Sequence, residues 1–422
     1  MRLLFALLFV ACTTDPYRDW PANTEVFPWV FTPETDLEPY EEVRFETETW
    51  TPLVDAKETG LYVLKSIEHR PSAPDEVITH FETRPTALDR TDPWLSFAGD
   101  IMRIPNFQDP PMATVEDLVD GGLRIGNLET PVSPLHPTDP NALSQKFGLY
   151  AFNAPVAFSR QLPFDVLQIN NNHSLDLGDE GFVATQEVLE AQGYTTVGLD
   201  DNLVLAEIDG LTVAILAYTW GSNVDAATSS IDLAIVPFGR PDAPVEPGRI
   251  ADDIARAQTE GATHVVLMLH WGYEYEYYPD PRFLQWGRRL VEAGADVIVG
   301  HGPHTPQPME QCAVNRPEVV PGVGTCSVRT PDGKPRDAAI LYSLGNFGTQ
   351  LATLPLQVGI VGHVSLDRAG GVSGMAWEPV ASVQDPEGGR VVPLDGRLTE
   401  DGLSRESDRL DRLMGASVRR TR

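Results

Sequence analysis

Asp296-Val297-Ile298-Val299-Gly300-His301-Gly302-Pro303-His304 reads as a short buried strand that runs straight into two histidines. Val297 to Val299 is an unbroken β-branched run, as in a strand covered on both faces. The same design recurs along the chain. Val265-Val266-Leu267-Met268-Leu269 ends in His270-Trp271-Gly272, and Val166-Leu167-Gln168-Ile169 leads into Asn171-Asn172-His173. Leu95 to Ala98 ends in Gly99-Asp100, and Leu123 to Ile125 in Gly126-Asn127-Leu128-Glu129. Ile340 to Tyr342 ends in Ser343-Leu344-Gly345-Asn346-Phe347, and Val213 to Tyr218 is a further run of the same kind. Helical patterns lie between these runs. Ile250, Ile254 and Ala257 share one face before Gly261; Phe283, Gly287, Leu290 and Val291 share another before Gly294. Phe182, Val188 and Leu189 do the same before Gly193. Strands alternating with helices predict an α/β fold, which places its sites at the C-terminal ends of its strands.

The residue types at those ends are Asp, Glu, Asn and His, the donors of a hydrolytic metal centre. Asp100 follows a glycine that permits close backbone approach and suits a divalent cation. Glu129 supplies a second carboxylate, and two carboxylates can bridge two metals. Asn172 offers a carbonyl oxygen, and His173 can ligate or donate a proton. Asp176 is near enough in sequence to orient His173 through its other ring nitrogen. His270, His301 and His304 stand at two strand ends, where imidazole serves as a metal ligand. Asn127, Asn171, Glu274 and Asn346 are expected to contact substrate or brace the ligands. His264 and His363 lack this context and read as structural, while His69, His80 and His136 fall in accessory or loop regions.

The 422 residues are 42% hydrophobic, enough for one large domain or two ordinary ones. The formal net charge of −30 repels nucleic acid, which is excluded as a partner. It also repels an acidic polymer, unless a bound metal reverses the local field. Met1-Arg2 followed by the uncharged Leu3 to Ala11 reads as a secretory signal, too short to span a bilayer. Phe9-Val10-Ala11-Cys12 also resembles a bacterial lipobox, with cleavage before Cys12 and lipid on its thiol. An exported, membrane-anchored lipoprotein is expected. Cys312 and Cys326 are then an even pair in an exported chain, either a disulfide worth about 3 kcal/mol or two free thiols. The expected organisation is a signal peptide (1–12), a Pro- and acid-rich tether (13–45), an accessory β region (46–92), a main domain (93–385) and a tail (386–422). Residues 355–385 alternate as strand, Asp385 to Arg390 reads as a turn-rich linker, and Glu400 to Arg422 as a surface helix with a basic end.

As an ordered set, these motifs resemble the CapA family of capsule and poly-γ-glutamate synthesis proteins over about Trp94 to Phe347. That family is similar in fold to calcineurin-like metallophosphoesterases. The resemblance implies a four-layer αββα sandwich with a small N-terminal β extension. It implies Asp100, Glu129, Asn172, His270, His301 and His304 as ligands of one or two divalent ions, Mn, Fe or Zn, with His173 as proton donor. It further implies a role in capsule or poly-γ-glutamate synthesis, an anionic polymer as substrate and the subunits of an export complex as partners. Two readings stay open: a metal-dependent hydrolase or transferase, and a polymer-binding or assembly component without turnover. Four departures bear on the choice. Met102 stands where the broader superfamily has a histidine, and Glu129 where an Asp is usual. His301 and His304 are separated by two residues rather than one. Gly302 stands where the family commonly carries a histidine.

Overall fold

The computed structural model describes residues 81, 86–138, 152–199, 201–224, 226–238, 245–316, 325–330, 332–349, 351, 353–394 and 401–420. The signal segment with Cys12, the tether and nearly all of the accessory β region lie outside the described residues. Among those described, the strands of the first half are β1 (Trp94–Ile101), β2 (Leu123–Leu128), β3 (Val166–Gln168), β4 (Thr195–Val197), β5 (Val204–Ile208), β6 (Leu211–Thr219) and β7 (His264–His270). Those of the second half are β8 (Val297–His301), β9 (Pro306–Val314), β10 (Thr325–Val328), β11 (Arg336–Leu344), β12 (Val358–Leu366), β13 (Val372–Asp385) and β14 (Gly388–Pro393). The α-helices are α1 (Gly178–Ala191), α2 (Gly248–Thr259), α3 (Pro281–Ala293) and α4 (Asp401–Leu410).

The strands form two seven-stranded sheets, ordered β14-β13-β12-β1-β2-β3-β4 and β10-β9-β11-β8-β7-β6-β5. β1 to β4 run parallel, as do β6, β7, β8 and β11. Parallel pairing gathers the C-terminal ends of the central strands on one edge of each sheet, and that edge carries the polar motifs. The inner faces pack on each other: Leu95, Phe97, Ile125 and Val166 of the first sheet share a core with Ile215, Val266, Val299 and Leu341 of the second. Each such side chain contributes about 1.5–3 kcal/mol on burial. Outside the second sheet, Ile250, Ile254, Phe283 and Leu290 of α2 and α3 cover Leu216, Leu267 and Ile298. Outside the first, Phe182 and Leu189 of α1 cover Leu128 and Leu167. The fold is therefore the expected four-layer α/β sandwich. α3 starts where the Asp280 side chain accepts from the Arg282 N–H at 2.9 Å, and Gly294, at φ 120°, ends it.

Three local expectations are corrected. The linker expected over Asp385 to Arg390 is the tight turn of a hairpin, since β13 runs to Asp385 and pairs antiparallel with β14 from Gly388. The boundary expected after residue 385 thus falls inside a sheet. The segment expected as a surface helix instead buries Leu403, Leu410, Leu413, Met414 and Val418 in the core shared by the two sheets. Cys312 and Cys326 are joined as the expected disulfide and lie opposite each other on the parallel pair β9 and β10, so the bond ties the edge strand β10 to its neighbour β9 as well as closing a loop. His264 and His363 are buried structural residues, bonded to the Asp367 carbonyl at 3.0 Å and the Ser96 hydroxyl at 2.9 Å. His136 contacts the Ser133 hydroxyl in a loop, whereas His69 and His80 lie outside the described residues.

Candidate metal centre

Strand ends from both sheets meet at one point. Asp100 and Asn127 are register neighbours on β1 and β2, and His270 and His301 are neighbours on β7 and β8. An irregularity in the β1–β2 register between Ala98 and Asp100 re-aims the Asp100 side chain, a common device beside sites. The Gly302 N–H then donates to Asp100 Oδ2 at 3.1 Å and ties the second sheet to the first. Gly302 has φ 106°, and a Cβ there would lie 3.0 Å from the Trp271 carbonyl. A glycine at this position is a backbone requirement of this chain rather than simply a lost imidazole.

Asp100, Glu129 and His301 are 0% exposed, and His270 only 1%. Asp100 Oδ1 accepts from Asn127 Nδ2 at 2.8 Å and lies 3.3 Å from His301 Nδ1. Asp100 Oδ2 lies 3.2 Å from His304 Nδ1. Glu129 Oε1 stands 3.7 Å from His270 Nε2, 3.7 Å from His304 Nε2 and 4.0 Å from His173 Nε2. Asp100, Glu129 and His270 each place a donor atom within 4.8 Å of the others. Five buried polar atoms of the strand-end motifs make no hydrogen bond: both Glu129 oxygens, Asn172 Oδ1 and both His301 ring nitrogens, of which Nδ1 has only the 3.3 Å approach to Asp100. Leaving a buried polar atom unpaired costs about 1–3 kcal/mol, more when charged. Buried oxygen and imidazole donors left without hydrogen bonds fit a divalent cation.

The electrostatics carry the same mark. Burial alone would raise Asp100, but the His301 and His304 imidazoles outweigh it and hold the carboxyl well below its usual range. Burial, then the charge on Asp100, pushes Glu129 well above the carboxylate range. Burial drives His270 down to about 3. Burial would also lower His304, but Glu129 and then Asp100 draw it up to about 10.

The remaining expected residues surround this cluster. His173 Nδ1 is 2.6 Å from Asp176 Oδ2, which fixes the ring with Nε2 toward Glu129. Asn171 donates to Asn127 Oδ1 at 3.2 Å and to the Leu128 carbonyl at 2.9 Å, and its own oxygen receives the His173 N–H at 3.1 Å. Asn346 Oδ1 lies 3.0 Å from His304 Nδ1, while its Nδ2 donates to the Leu356 carbonyl at 2.6 Å. Asn127, Asn171 and Asn346 therefore brace the donors. Glu274 is half-buried and close enough for its charge to act on Glu129 and His304. Met102 is buried, and its sulfur accepts from the Thr349 hydroxyl at 3.5 Å. Two residues escaped the sequence reading. Asn223 contacts His173, Asp176 and Asn172, and the Phe152 ring lies 4.2 Å from the His173 ring. Asn223 closes Thr219-Trp220-Gly221-Ser222-Asn223, a polar segment after β6 that follows the same strand-end rule.

Comparison with known proteins bears on this arrangement. The PGA biosynthesis protein CapA of Bacillus subtilis is 30% identical over 192 residues, 44% of this chain and 48% of that protein. The capsule biosynthesis protein CapA of Bacillus anthracis is 30% identical over 232 residues, 53% of this chain and 49% of that one. The chain thus spans about half the length of the curated relatives it matches. Among solved structures, a 5'-nucleotidase precursor from Thermus thermophilus aligns with 76% of this chain and 58% of its own, at 14% identity and a TM-score of 0.40. The family model described as "Bacterial capsule synthesis protein PGA_cap" matches residues 94–350, from the first strand of the sandwich to just beyond Asn346. With that match covering most of the sandwich and every strand-end motif, the chain belongs to the bacterial capsule synthesis protein PGA_cap family.

Proposed function

We propose that this protein is a metal-dependent hydrolase or transferase acting outside the cytoplasm in capsule or poly-γ-glutamate synthesis. The general role follows from the family. The reaction rests on one observation: the buried, unpartnered donor atoms of Glu129, His301 and Asn172 at the junction of the two sheets. Asp100, Glu129, Asn172, His270, His301 and His304 would hold the cation. A divalent cation so held supplies Lewis acidity and lowers the pKa of water toward neutrality. His173 directs its Nδ1 proton to Asp176, which leaves Nε2 as the atom that can take up a proton and, once the ring is doubly protonated, pass it to a leaving oxygen. Asp176 holds that tautomer, and Phe152 shields one side of the ring from water.

The lipid anchor at Cys12, an anionic polymer substrate and export-complex partners belong to the same reading. A chain of net charge −30 repels such a polymer, and a cation at the strand ends would offset that repulsion locally. Met102 favours a second reading, a polymer-binding or assembly component without turnover. Its sulfur is engaged by Thr349, so the position supplies no nitrogen ligand. The test is metal content of the purified protein, with a screen of phosphoesters and γ-glutamyl polymers. Absence of Mn, Fe and Zn under replete conditions overturns the enzyme reading. His173→Ala is expected to keep fold and metal but lose turnover; unchanged polymer output from that variant favours the assembly reading.

A further inference from the structure

Asn223 makes four polar contacts, all with the loop that carries Asn172, His173 and Asp176. Its backbone N–H donates to the Asn172 carbonyl at 2.8 Å. Its side-chain oxygen faces Asn172 Nδ2 at 3.4 Å. Its Nδ2 lies 3.1 Å from Asp176 Oδ1 and 3.1 Å from His173 Nδ1. The 2.6 Å contact between His173 Nδ1 and Asp176 Oδ2 puts the ring proton on Nδ1. Nδ1 is then a donor, so the productive bond of the Asn223 amide is the one to Asp176 Oδ1. Asp176 thereby receives one donor on each oxygen, from two different loops. On the other side, capture of Asn172 Nδ2 leaves Asn172 Oδ1 as its buried, unpartnered atom.

We infer that Asn223 is a positioning residue with two tasks: it turns the Asn172 carbonyl oxygen toward the cation, and it locks Asp176 against His173. Partners of this kind behind metal ligands typically change metal affinity by 10- to 100-fold. Asn223 reaches the site from the end of β6, in the second sheet, while Asn172 and Asp176 follow β3 in the first. It therefore also couples the proton donor to the sheet that supplies the three other imidazoles. The inference rests on the metal-centre reading above.

The test is calorimetric titration of the full chain with Mn2+. Asn223→Ala is expected to weaken binding about tenfold or more, with the thermal midpoint of the metal-free protein unchanged, since Asn223 is only half-buried. Asn223→Asp keeps an acceptor for Asn172 Nδ2 but sets a carboxylate against Asp176 Oδ1, and is expected to lose less affinity than Asn223→Ala. The second task is read without metal, by 15N NMR of the histidine rings. His173 is expected as a single Nδ1–H tautomer in the parent and as a mixture in Asn223→Ala. Mn2+ binding by Asn223→Ala equal to the parent, or an equal loss in Asn223→Asp, overturns the first task. An unaltered tautomer overturns the second. A parent protein that binds no Mn2+ overturns the metal-centre reading itself, an outcome distinct from the others.

Discussion

Glu129 has neither oxygen hydrogen-bonded and no exposure to water. A carboxylate in that state destabilises the metal-free protein, and burial with the Asp100 charge keeps it protonated instead. Glu129→Gln is neutral at all pH values and fills the same space. It is expected to stabilise the metal-free protein by about 1 kcal/mol, a rise of roughly 2 °C in thermal midpoint, while Mn2+ affinity falls at least about 100-fold. A lower midpoint would show that Glu129 serves the fold rather than a cation. His304 gives a pH prediction. Burial lowers its pKa, but the negative charges of Glu129 and then Asp100 draw it up to about 10. Burial and Asp100 push Glu129 up in turn, so in the metal-free protein the Glu129–His304 pair holds a proton between them at neutral pH. A protonated imidazole cannot ligate, so the metal-free state binds more protons than the loaded state. Raising the pH therefore favours the metal, by about tenfold per unit for each proton expelled. Titration from pH 6 to pH 8 in buffers of different ionisation heat measures those protons; a flat affinity with none released would contradict the assignment.

At the scale of elements, the site depends on how strand ends turn. Gly302 follows β8 at φ 106° and donates its N–H to Asp100 Oδ2. A Cβ there would meet the Trp271 carbonyl at 3.0 Å and His270 Nε2 at 3.3 Å. Gly302→Ala is expected to cost about 1–3 kcal/mol in stability and to weaken Mn2+ binding. Gly302→His, which installs the family's more usual residue, should do no better; a fully stable, tighter-binding histidine variant would refute the backbone argument. The elements bearing these turns were legible because a strand buried on both faces has to be an apolar run, and a polar residue directly after it stands out. Asn223 obeys the same rule but was missed, since Trp220, Gly221 and Ser222 separate it from β6. The β13–β14 hairpin was read as a linker because Pro386 and Glu387 are turn residues, and only pairing distinguishes a two-residue turn from a connection. The C-terminal segment was read as a surface helix because its charged residues outnumber the few apolar ones. Leu403, Leu410, Leu413 and Met414 nevertheless bury together.

The whole molecule holds a site that neither sheet contains alone. Asp100, Glu129, Asn172 and His173 come from the first sheet and its loops, and His270, His301 and His304 from the second. Their spacing is set by the core between the sheets, and the C-terminal segment completes that core. Beyond it, Arg420 donates to both oxygens of Asp120 at 2.8 Å, lies 3.6 Å from Glu378 and donates its backbone N–H to the Trp377 carbonyl. Arg419 places its guanidinium 5.3 Å from the Trp377 ring centroid. Removal of residues 401–422 takes five core side chains with it, at about 2–5 kcal/mol for each leucine or methionine, and is expected to abolish folding. Arg420→Met is the graded version. It leaves the carboxylates of Asp120 and Glu378 without this cation in a partly buried setting, at a cost of about 2 kcal/mol, or roughly 4 °C in thermal midpoint. Arg420 also lies against His363, which bonds Ser96 near the start of β1. Ser96 stands four positions before Asp100, ~13 Å along β1. Arg420→Met should therefore lower the midpoint while leaving Mn2+ affinity at 20 °C unchanged. Loss of affinity in the folded variant would mean that the sheet transmits strain from its far edge to the metal centre, and that the two edges are not independent.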